Sequence, residues 1–281
     1  MATSDQTPRF TPGGGGRPPI VVIGAGLAGL TTAGHLLSGS TDAIVRFSHP
    51  GGDPNVSDAL PSGRGMAVKL ATPDGSHQLV AVSSPAFLVR DGEAFVELLL
   101  ARAPDPETGA PDPARIGAFL ADHPEALPAI EYAMAAPIPT SYAQVTYNGL
   151  HTFFLVDADG KRTPFRFSFV PTVDAGGPAD GELEPDHLAD ELGRRLAAGP
   201  IELSLQIALG TDDDPLDDPT AIWSPRPTLD AGTLTLDAIV PDPEPVIFDP
   251  NNVVPGVEVS SDPILAVRKA VYGLSYARRT S

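Results

Sequence analysis

The residue types with the clearest chemistry stand near the C-terminus of this 281-residue chain. Four of them follow one another at spacings that a helix places on a single face, namely Arg268, Tyr272, Tyr276 and Arg279. A phenol normally ionises near pH ~10, but a guanidinium one turn away favours the phenolate. A phenolate is a hard anionic ligand suited to ferric iron, and tyrosine is one of the axial ligands of haem iron. This face is therefore a candidate iron site.

The helix that must carry this face has recognisable ends. Asp262 is a good N-cap, and Pro263 suits the first helical position. Arg278 and Arg279 stand where the C-terminus of a helix favours cations. We therefore predict a C-terminal helix of about four turns that begins at Pro263.

Composition narrows the class of protein. With 18 basic and 36 acidic residues the net charge is −18, which argues against binding to nucleic acid or to anionic membrane surfaces. The chain has no cysteine, which excludes disulfides, cysteinyl metal sites and thiolate-ligated haem. We expect a cytoplasmic protein, with a periplasmic or exported location as the alternative because Arg9 and Arg17 precede an uncharged stretch.

Residues 1–19 are rich in Pro, Gly and Thr and are predicted to be a disordered arm, followed by one domain over residues 20–281. The domain opens with a Gly-rich segment, residues 20–42, in which a short apolar strand precedes Gly24-x-Gly26-x-x-Gly29. This pattern is typical of a dinucleotide-binding turn. The acidic residue that should follow near residues 44–50 is missing, and the βαβ alternation does not continue. FAD or NAD binding through residues 20–37 therefore stays an alternative function.

Two C-terminal blocks resemble the haem-binding segment of catalase-related peroxidases, the small members of the haem catalase superfamily. One is Asp-x-x-Leu-x-x-Arg-x-x-x-Tyr, from Asp262 to Tyr272, and the other runs from Phe248 to Val257. The resemblance extends over residues 43–279. It implies haem b as cofactor, Tyr272 as the iron ligand, Arg268 as its partner and Arg279 as a further cofactor-binding residue.

Two further segments resemble the same family. In Val45-Arg46-Phe47-Ser48, the resemblance implies that Arg46 pairs with a haem propionate, and a guanidinium suits a carboxylate because its donors form a fork. In residues 74–95, it places Phe87 and Phe95 over the haem plane. The asparagine expected in that segment is replaced, since Val82 and Ser83 occupy its neighbourhood.

The remaining pattern predicts mostly strands. Alternating residues indicate strands at 45–48, 64–70 and 201–209, a hairpin turning at 157–160, and helices near 114–120 and 184–198. Phe165, Phe167 and Phe169 should share one apolar face. The family resemblance implies an α+β fold: a closed antiparallel β-barrel with surrounding helices and haem held against the C-terminal helix.

One element of the family pattern is missing. The family's distal histidine lies in a His-Ala-Lys-Gly segment shortly before a Phe-Thr-Pro element, which Phe10-Thr11-Pro12 resembles, yet residues 1–9 contain no histidine. The catalytic base is therefore unknown, with His35 and His49 as weak candidates. His151 is interpreted as structural. The acidic cluster Asp212, Asp213, Asp214, Asp217 and Asp218 is interpreted as a solvated loop rather than a calcium site.

The sequence therefore predicts a haem-dependent peroxidase or catalase that acts on hydrogen peroxide or organic peroxides with a small-molecule electron donor. Loss of the distal histidine should impair it. A non-catalytic haem-binding protein is a second alternative, and assembly into a homo-oligomer is compatible with the sequence.

Overall fold

The computed structural model of the protein contains eleven strands and five α-helices in its described part. The structure describes residues 20–23, 40–49, 56–73, 75–105, 107–173, 181–240 and 246–280. The strands are β1 (Ile20–Ile23), β2 (Ala43–Ser48), β3 (Gly65–Thr72), β4 (Gly75–Val82), β5 (Tyr147–Asn148), β6 (Phe153–Val156), β7 (Arg162–Pro171), β8 (Ile201–Leu209), β9 (Thr228–Leu236), β10 (Ala238–Val240) and β11 (Val257–Val259). The helices are α1 (Gly92–Ala101), α2 (Pro113–Asp122), α3 (Leu127–Ala135), α4 (His187–Ala198) and α5 (Pro263–Thr280).

All strands belong to one sheet, and every described strand pair is antiparallel. The sheet runs β10-β1-β2-β3-β4-β5-β7-β6-β11, with β8 paired to β7 and β9 paired to β8. The predicted hairpin is confirmed as β6 and β7, and its turn includes Gly160 at φ +79°, a conformation that favours glycine. The α+β class is thus confirmed, with the long antiparallel sheet as its main element.

The predicted closure of the sheet is not observed. Within the described residues, β9 and β10 each pair on one side only, with β8 and β1 respectively. These two strands follow one another in the chain with only Asp237 between them. Before Asp237 the chain is hydrogen-bonded to β8, and after it the chain is hydrogen-bonded to β1. β9 and β10 are not paired with each other, so the sheet is open between them and the predicted closed barrel does not form.

β1 bears on the dinucleotide alternative. It lies between β2 and β10 and is antiparallel to both, with Val21 opposite Arg46 and Val240. The strand that leads into a dinucleotide-binding turn belongs to a parallel βαβ unit. The neighbours of β1 therefore disfavour that fold for this segment, whereas the glycines at 24, 26 and 29 lie outside the described residues.

Alternation along the strands builds the main core. Buried side chains recur at every second residue of β2 (Ala43, Val45 and Phe47), and Phe165, Phe167 and Phe169 of β7 are all buried, as predicted. A second, smaller apolar cluster lies among the helices and contains Leu98 of α1, Phe119 of α2 and Ile264 of α5. The start of α5 is therefore fixed by the helical cluster, beside the sheet.

Candidate functional site

Asp262 anchors α5 in two ways. Its Oδ1 accepts a hydrogen bond from the backbone N–H of Ile264 at 2.8 Å, which is the predicted N-cap interaction. Its Oδ2 accepts a hydrogen bond from Nδ1 of His151 at 2.6 Å. The side chains of Asp262 and His151 are 1% and 2% exposed, so a single buried carboxylate both caps the helix and orients an imidazole.

A chain of hydrogen bonds continues from His151 to the predicted iron ligand. Nη1 of Arg268 lies 2.9 Å from Nε2 of His151, and the Nε and Nη2 groups of Arg268 donate to the phenol oxygen of Tyr272 at 3.1 and 2.8 Å. Since arginine only donates, Nε2 of His151 must accept, and the ring proton therefore sits on Nδ1 facing Asp262. The structure thus brings Arg268 and Tyr272 together as predicted and adds two residues behind them.

The electrostatics of this chain are consistent with that proton arrangement. Burial lowers the pKa of His151 below its usual value, although the hydrogen bond to Asp262 acts in the opposite direction. A neutral His151 leaves Arg268 as the cation next to the phenol. Two donors of that guanidinium converge on the phenol oxygen of Tyr272, and the third side of the guanidinium is held by the neutral imidazole.

The backbone holds His151 in place. A side-chain carbon at Gly149 would lie 2.4 Å from the ring of Phe167, so the chain passes over that ring only because residue 149 is glycine. The backbone N–H of Ser260 donates to the carbonyl of Thr152 at 3.1 Å, which ties this segment to the approach to α5. The packing against Phe167 of β7 thereby helps to position His151, two residues before β6 begins.

Two predicted aromatic residues flank the same network. The rings of Phe87 and Phe95 stack with centroids 6.2 Å apart, and the ring of Phe87 lies 6.4 Å from that of His151. Both are partly buried against the helical cluster. The structure therefore brings both phenylalanines to the predicted site, while their placement over a haem plane stays a prediction.

Arg46 is also tied to the block that precedes α5. It occupies the face of β2 opposite the buried Val45 and Phe47, and its guanidinium lies 4.7 Å from the ring centroid of Phe248. This contact joins the predicted propionate-binding arginine to the segment from Phe248 to Val257. The side chains of Tyr276 and Arg279, and the whole of His35, lie outside what the structure describes.

Every histidine in the described part of the chain is hydrogen-bonded. His49 Nε2 lies 2.5 Å from Oδ1 of Asp58, so this candidate base is paired with a carboxylate. The others are His77 (to Val254 N), His123 (to Glu97 and Glu125), His151 (to Asp262 and Arg268) and His187 (to Pro139 and Glu184 carbonyls). Among the described histidines, only His151 hydrogen-bonds within the network that holds Tyr272.

The interpretation of His151 as merely structural missed its contacts with Asp262 and Arg268. Asp262 lies 111 residues and Arg268 lies 117 residues from His151 in the sequence, so no local spacing could reveal these contacts. Only an indirect signal of this contact was present in the sequence: a histidine within a predicted strand, and an aspartate that was already assigned as a helix cap. Asp262 was predicted for one role and has two.

Members of the acidic cluster also have specific partners. Arg226 holds the pKa of Asp214 well below its usual range through two side-chain hydrogen bonds of 2.6 and 2.7 Å. Asp218 lies 3.0 Å from the Nε of Arg90. At least two of the acids therefore form ion pairs that tie this loop to neighbouring segments, which the interpretation as a solvated loop did not anticipate.

The family model for catalase matches residues 25–281 of the chain. The chain belongs to the catalase family. Catalase-family members are haem enzymes that decompose peroxide. The match covers the Gly-rich segment after Gly24 as well as the whole of the network around Tyr272.

Two curated relatives of similar length carry the same name. A catalase-related peroxidase from Mycolicibacterium paratuberculosis is 36% identical over 263 residues, which cover 89% of this chain and 82% of the relative. A catalase-related peroxidase from Synechococcus elongatus is 35% identical over 255 residues, covering 87% of this chain and 75% of the relative. The small-enzyme branch of the family is thus represented among its relatives.

Solved structures show the same fold. A fungal catalase has a TM-score of 0.80 at 23% identity and a bacterial catalase 0.78 at 22%, covering 94% and 92% of this chain. The chain spans 59% and 56% of those two proteins. None of the described helices is long and apolar enough to cross a membrane. The cytoplasmic location stays a prediction.

Proposed function

We propose that the chain is a haem-dependent peroxidase of the catalase-related type, which holds haem b through Tyr272 and acts on hydrogen peroxide or small organic peroxides. The observation that carries this proposal is the pair of hydrogen bonds from Arg268 to the phenol oxygen of Tyr272. The names of the two relatives support the peroxidase activity, and a small organic electron donor is the partner that such an activity requires.

The residues of the described site fit a haem. Tyr272 offers an oxygen on which two guanidinium donors converge, and that oxygen is suited to a ferric ion. Phe87 and Phe95 supply a stacked, partly buried aromatic pair, and the ring of Phe87 lies 6.4 Å from that of His151. Arg46 supplies a cation next to the segment that leads into α5, where a propionate could be paired. The site thus combines a phenol oxygen for the iron, aromatic rings for the apolar part of the cofactor and guanidinium groups for its carboxylates.

When bound, haem supplies the iron at which a peroxide is cleaved. Tyr272 would hold that iron through its phenol oxygen, which Arg268 orients by two hydrogen bonds. His151 orients Arg268 through its Nε2 lone pair, while Asp262 holds the proton on Nδ1. Arg46 would pair with a carboxylate of the cofactor, Arg279 would be a further residue that binds it, and Phe87 and Phe95 would shield one side of it from water.

Cleavage of a peroxide also needs a group that moves a proton from one oxygen to the other. General acid–base catalysis of this kind is worth ~10²–10⁴ in rate. The histidine that the family uses is missing from residues 1–9. A site without a group in that role would show weak catalase turnover and modest peroxidase activity. His49 and His35 stay the candidate bases: His49 is hydrogen-bonded to Asp58, and His35 lies outside the described residues.

A non-catalytic haem-binding protein is the alternative function. The geometry around Tyr272 supports haem binding in both cases, so activity measurements must separate the two. A dinucleotide-dependent oxidoreductase is disfavoured by the antiparallel neighbours of β1.

The proposal is tested by titrating the purified full-length chain with haemin and recording its absorption spectrum. We expect a saturable Soret band with the features of a high-spin ferric phenolate complex, followed by slow oxidation of an aromatic donor on addition of hydrogen peroxide. A Soret band without any donor oxidation supports the haem-carrier function. A flavin spectrum with no Soret response overturns the proposal.

A further inference from the structure

A second group of chemically competent side chains lies between the end of β2 and the start of β3. Ser62 Oγ lies 3.4 Å from Nδ1 of His49, and Nε2 of the same ring lies 2.5 Å from Oδ1 of Asp58. A hydroxyl, an imidazole and a carboxylate thus stand in line, with the imidazole in the middle. The network around Tyr272 uses none of these residues.

Asp58 is a fixed end of this line. Its side chain is 4% exposed, and its Oδ2 accepts a hydrogen bond at 3.0 Å from the backbone N–H of Leu188 in the first turn of α4. Its own backbone N–H donates to the carbonyl of Pro185 at 2.7 Å. Asp58 is thus held through both its side chain and its backbone, and a carboxylate fixed in this way can orient an imidazole.

The directions of the hydrogen bonds agree along the whole line. An ionised carboxylate only accepts, so Nε2 of His49 carries the proton that faces Asp58, and Nδ1 of a neutral ring is left as an acceptor. Nη1 of Arg64 donates to Ser62 Oγ at 2.6 Å, so that oxygen accepts from Arg64. The hydroxyl proton of Ser62 is then available to His49 Nδ1, which is the arrangement that a nucleophile and its base require.

Arg64 adds a charge that favours ionisation of this hydroxyl. It is 2% exposed, and further hydrogen bonds to the carbonyls of Ser62 and Asp58 at 2.6 and 2.8 Å hold its guanidinium in place. A buried cation fixed 2.6 Å from Oγ stabilises the negative charge that develops there when the proton leaves.

We propose that Ser62, His49 and Asp58 form a second catalytic site, which hydrolyses small acyl esters. Ser62 Oγ attacks the acyl carbon while its proton passes to Nδ1 of His49. The carbon–oxygen bond of the ester breaks, and the leaving alkoxide takes that proton from His49. A water molecule then gives a proton to His49 and attacks the acyl-serine, which releases the carboxylic acid and returns the proton to Ser62.

Exposed apolar residues precede the hydroxyl in the chain. Leu60 is 53% exposed, and Pro61, next to Ser62, is exposed as well. The side chain of His49 is only 16% exposed, so the base is largely shielded from bulk water. We take small acyl esters as the substrate class because the exposed residues next to the serine in the chain are apolar.

The test uses the purified full-length chain with 4-nitrophenyl acetate as substrate and a fluorophosphonate as covalent probe. We expect sustained multiple-turnover release of nitrophenol, and a single phosphonylated peptide containing Ser62 by mass spectrometry. Ser62→Ala and His49→Gln should each lower the turnover by about 10²-fold, the usual contribution of a nucleophile's base.

Ser57→Ala is the matched control, because Ser57 lies in the same loop and hydrogen-bonds to Pro185 rather than to His49. It should hydrolyse the ester and take up the probe like the parent chain. Thermal unfolding of each variant checks that the fold is kept, and probe labelling of the parent chain decides the matter without any variant. Labelling elsewhere, a single stoichiometric burst with no further turnover, or unchanged hydrolysis by Ser62→Ala overturns the proposal.

Discussion

The C-terminal and N-terminal parts of the candidate haem site differ in how completely they are built. At the C-terminus, four side chains from two distant segments are joined by consecutive hydrogen bonds that end on the oxygen of Tyr272. At the N-terminus, β1 joins the sheet through its backbone, but residues 1–9 have no histidine where the family has its base. The difference teaches that holding a cofactor and activating its substrate are separate requirements, encoded in separate segments.

The two requirements also have different physical demands. Ligation needs a ligand oxygen and a rigid support, and in our proposal these are the phenol oxygen of Tyr272 and its hydrogen bonds through Arg268 to His151. Proton transfer to a bound peroxide needs a titratable group on the opposite side of the cofactor, at hydrogen-bonding distance. A chain can lose the second without any change in the packing that maintains the first. Each of the following experiments alters one part of the site and asks whether the other part responds.

The largest effect is expected from Tyr272→Phe, which removes the ligand oxygen of the C-terminal part. The Soret band of the haemin titration should be lost, while the unfolding temperature changes little because Tyr272 is only partly buried. Tyr276→Phe is the matched control on the same helix and should bind haemin like the parent chain. Loss of the band in the control, and not in Tyr272→Phe, would show that the ligand is one turn further along α5.

The next effect concerns the N-terminal part. Replacing residues 1–9 by an arm that carries His-Ala-Lys-Gly should raise the rate of peroxide consumption by the haem-loaded protein by ~10²–10⁴, since it restores a base. Haemin affinity should stay the same. An arm with Gln-Ala-Lys-Gly is the control. If the parent chain already reacts as fast as the chain with the new arm, another residue serves as base, and His35 and His49 are the first positions to change.

A third prediction tests how firmly the C-terminal part is supported. His77 of β4 is 6% exposed and accepts a hydrogen bond from the backbone N–H of Val254 at 3.3 Å, in the segment that leads into α5. Burial lowers the pKa of His77 to about 4, against 6.5 in the unfolded chain. The unfolded state therefore binds the extra proton between these values, and the free energy of unfolding should fall by about 3 kcal/mol as the pH drops from 7 to 4.

His77→Gln removes this titration and keeps an oxygen that can accept from Val254. Urea unfolding of the parent chain and of the variant at pH 7, 5 and 4 separates the contribution of His77 from that of other groups. The variant should lose less stability on acidification than the parent. Two parallel curves would show that protonation of His77 does not weaken the contact between β4 and the segment before α5.

A smaller change is expected from breaking the support behind Arg268. His151→Leu removes the partner of both Asp262 and Arg268, and residues that orient a ligand in this way are typically worth 10–100-fold in affinity. Haemin affinity should fall by about that factor. His151→Gln is the matched control, because its amide can donate to Asp262 and accept from Arg268, and it should bind haemin nearly as well as the parent. Equal losses in both variants would mean that only the ring shape matters.

The C-terminal part was also the more predictable from sequence, because its signals are local. The N-cap at Asp262, the start of α5 at Pro263 and the pairing of Arg268 with Tyr272 depend on residues within one or two helical turns. The strand at Ile201–Leu209 was predicted with its bounds, since period-two alternation is also a local property. Elements of this kind can be found without knowing what they pack against.

What the sequence did not reveal depends on long-range packing. α1 was not predicted, although Asp91 caps it through the N–H of Ala94, since its apolar residues cover several faces rather than one stripe. The contact between His151 and Asp262 exists only because β6 pairs with β11 just before α5 begins. The opening between β9 and β10 depends on the end of one strand and the start of the next at Asp237. A single aspartate in a strand pattern does not predict such an interruption.

The smallest effect is expected at the N-terminal fingerprint. If β1 were part of a dinucleotide-binding unit, it would have parallel neighbours and an acidic residue after the next strand. Instead it lies antiparallel to β2 and β10, and residues 44–49 carry no carboxylate. Gly26→Ala should therefore leave the Soret band and haemin affinity unchanged, and no flavin or nicotinamide should be released from either protein on acid extraction. FAD or NAD binding that the parent chain shows and Gly26→Ala loses would assign a cofactor to the N-terminal part after all. The two parts of the molecule would then bind different cofactors, and the contrast between a complete and an incomplete half of one site would no longer hold.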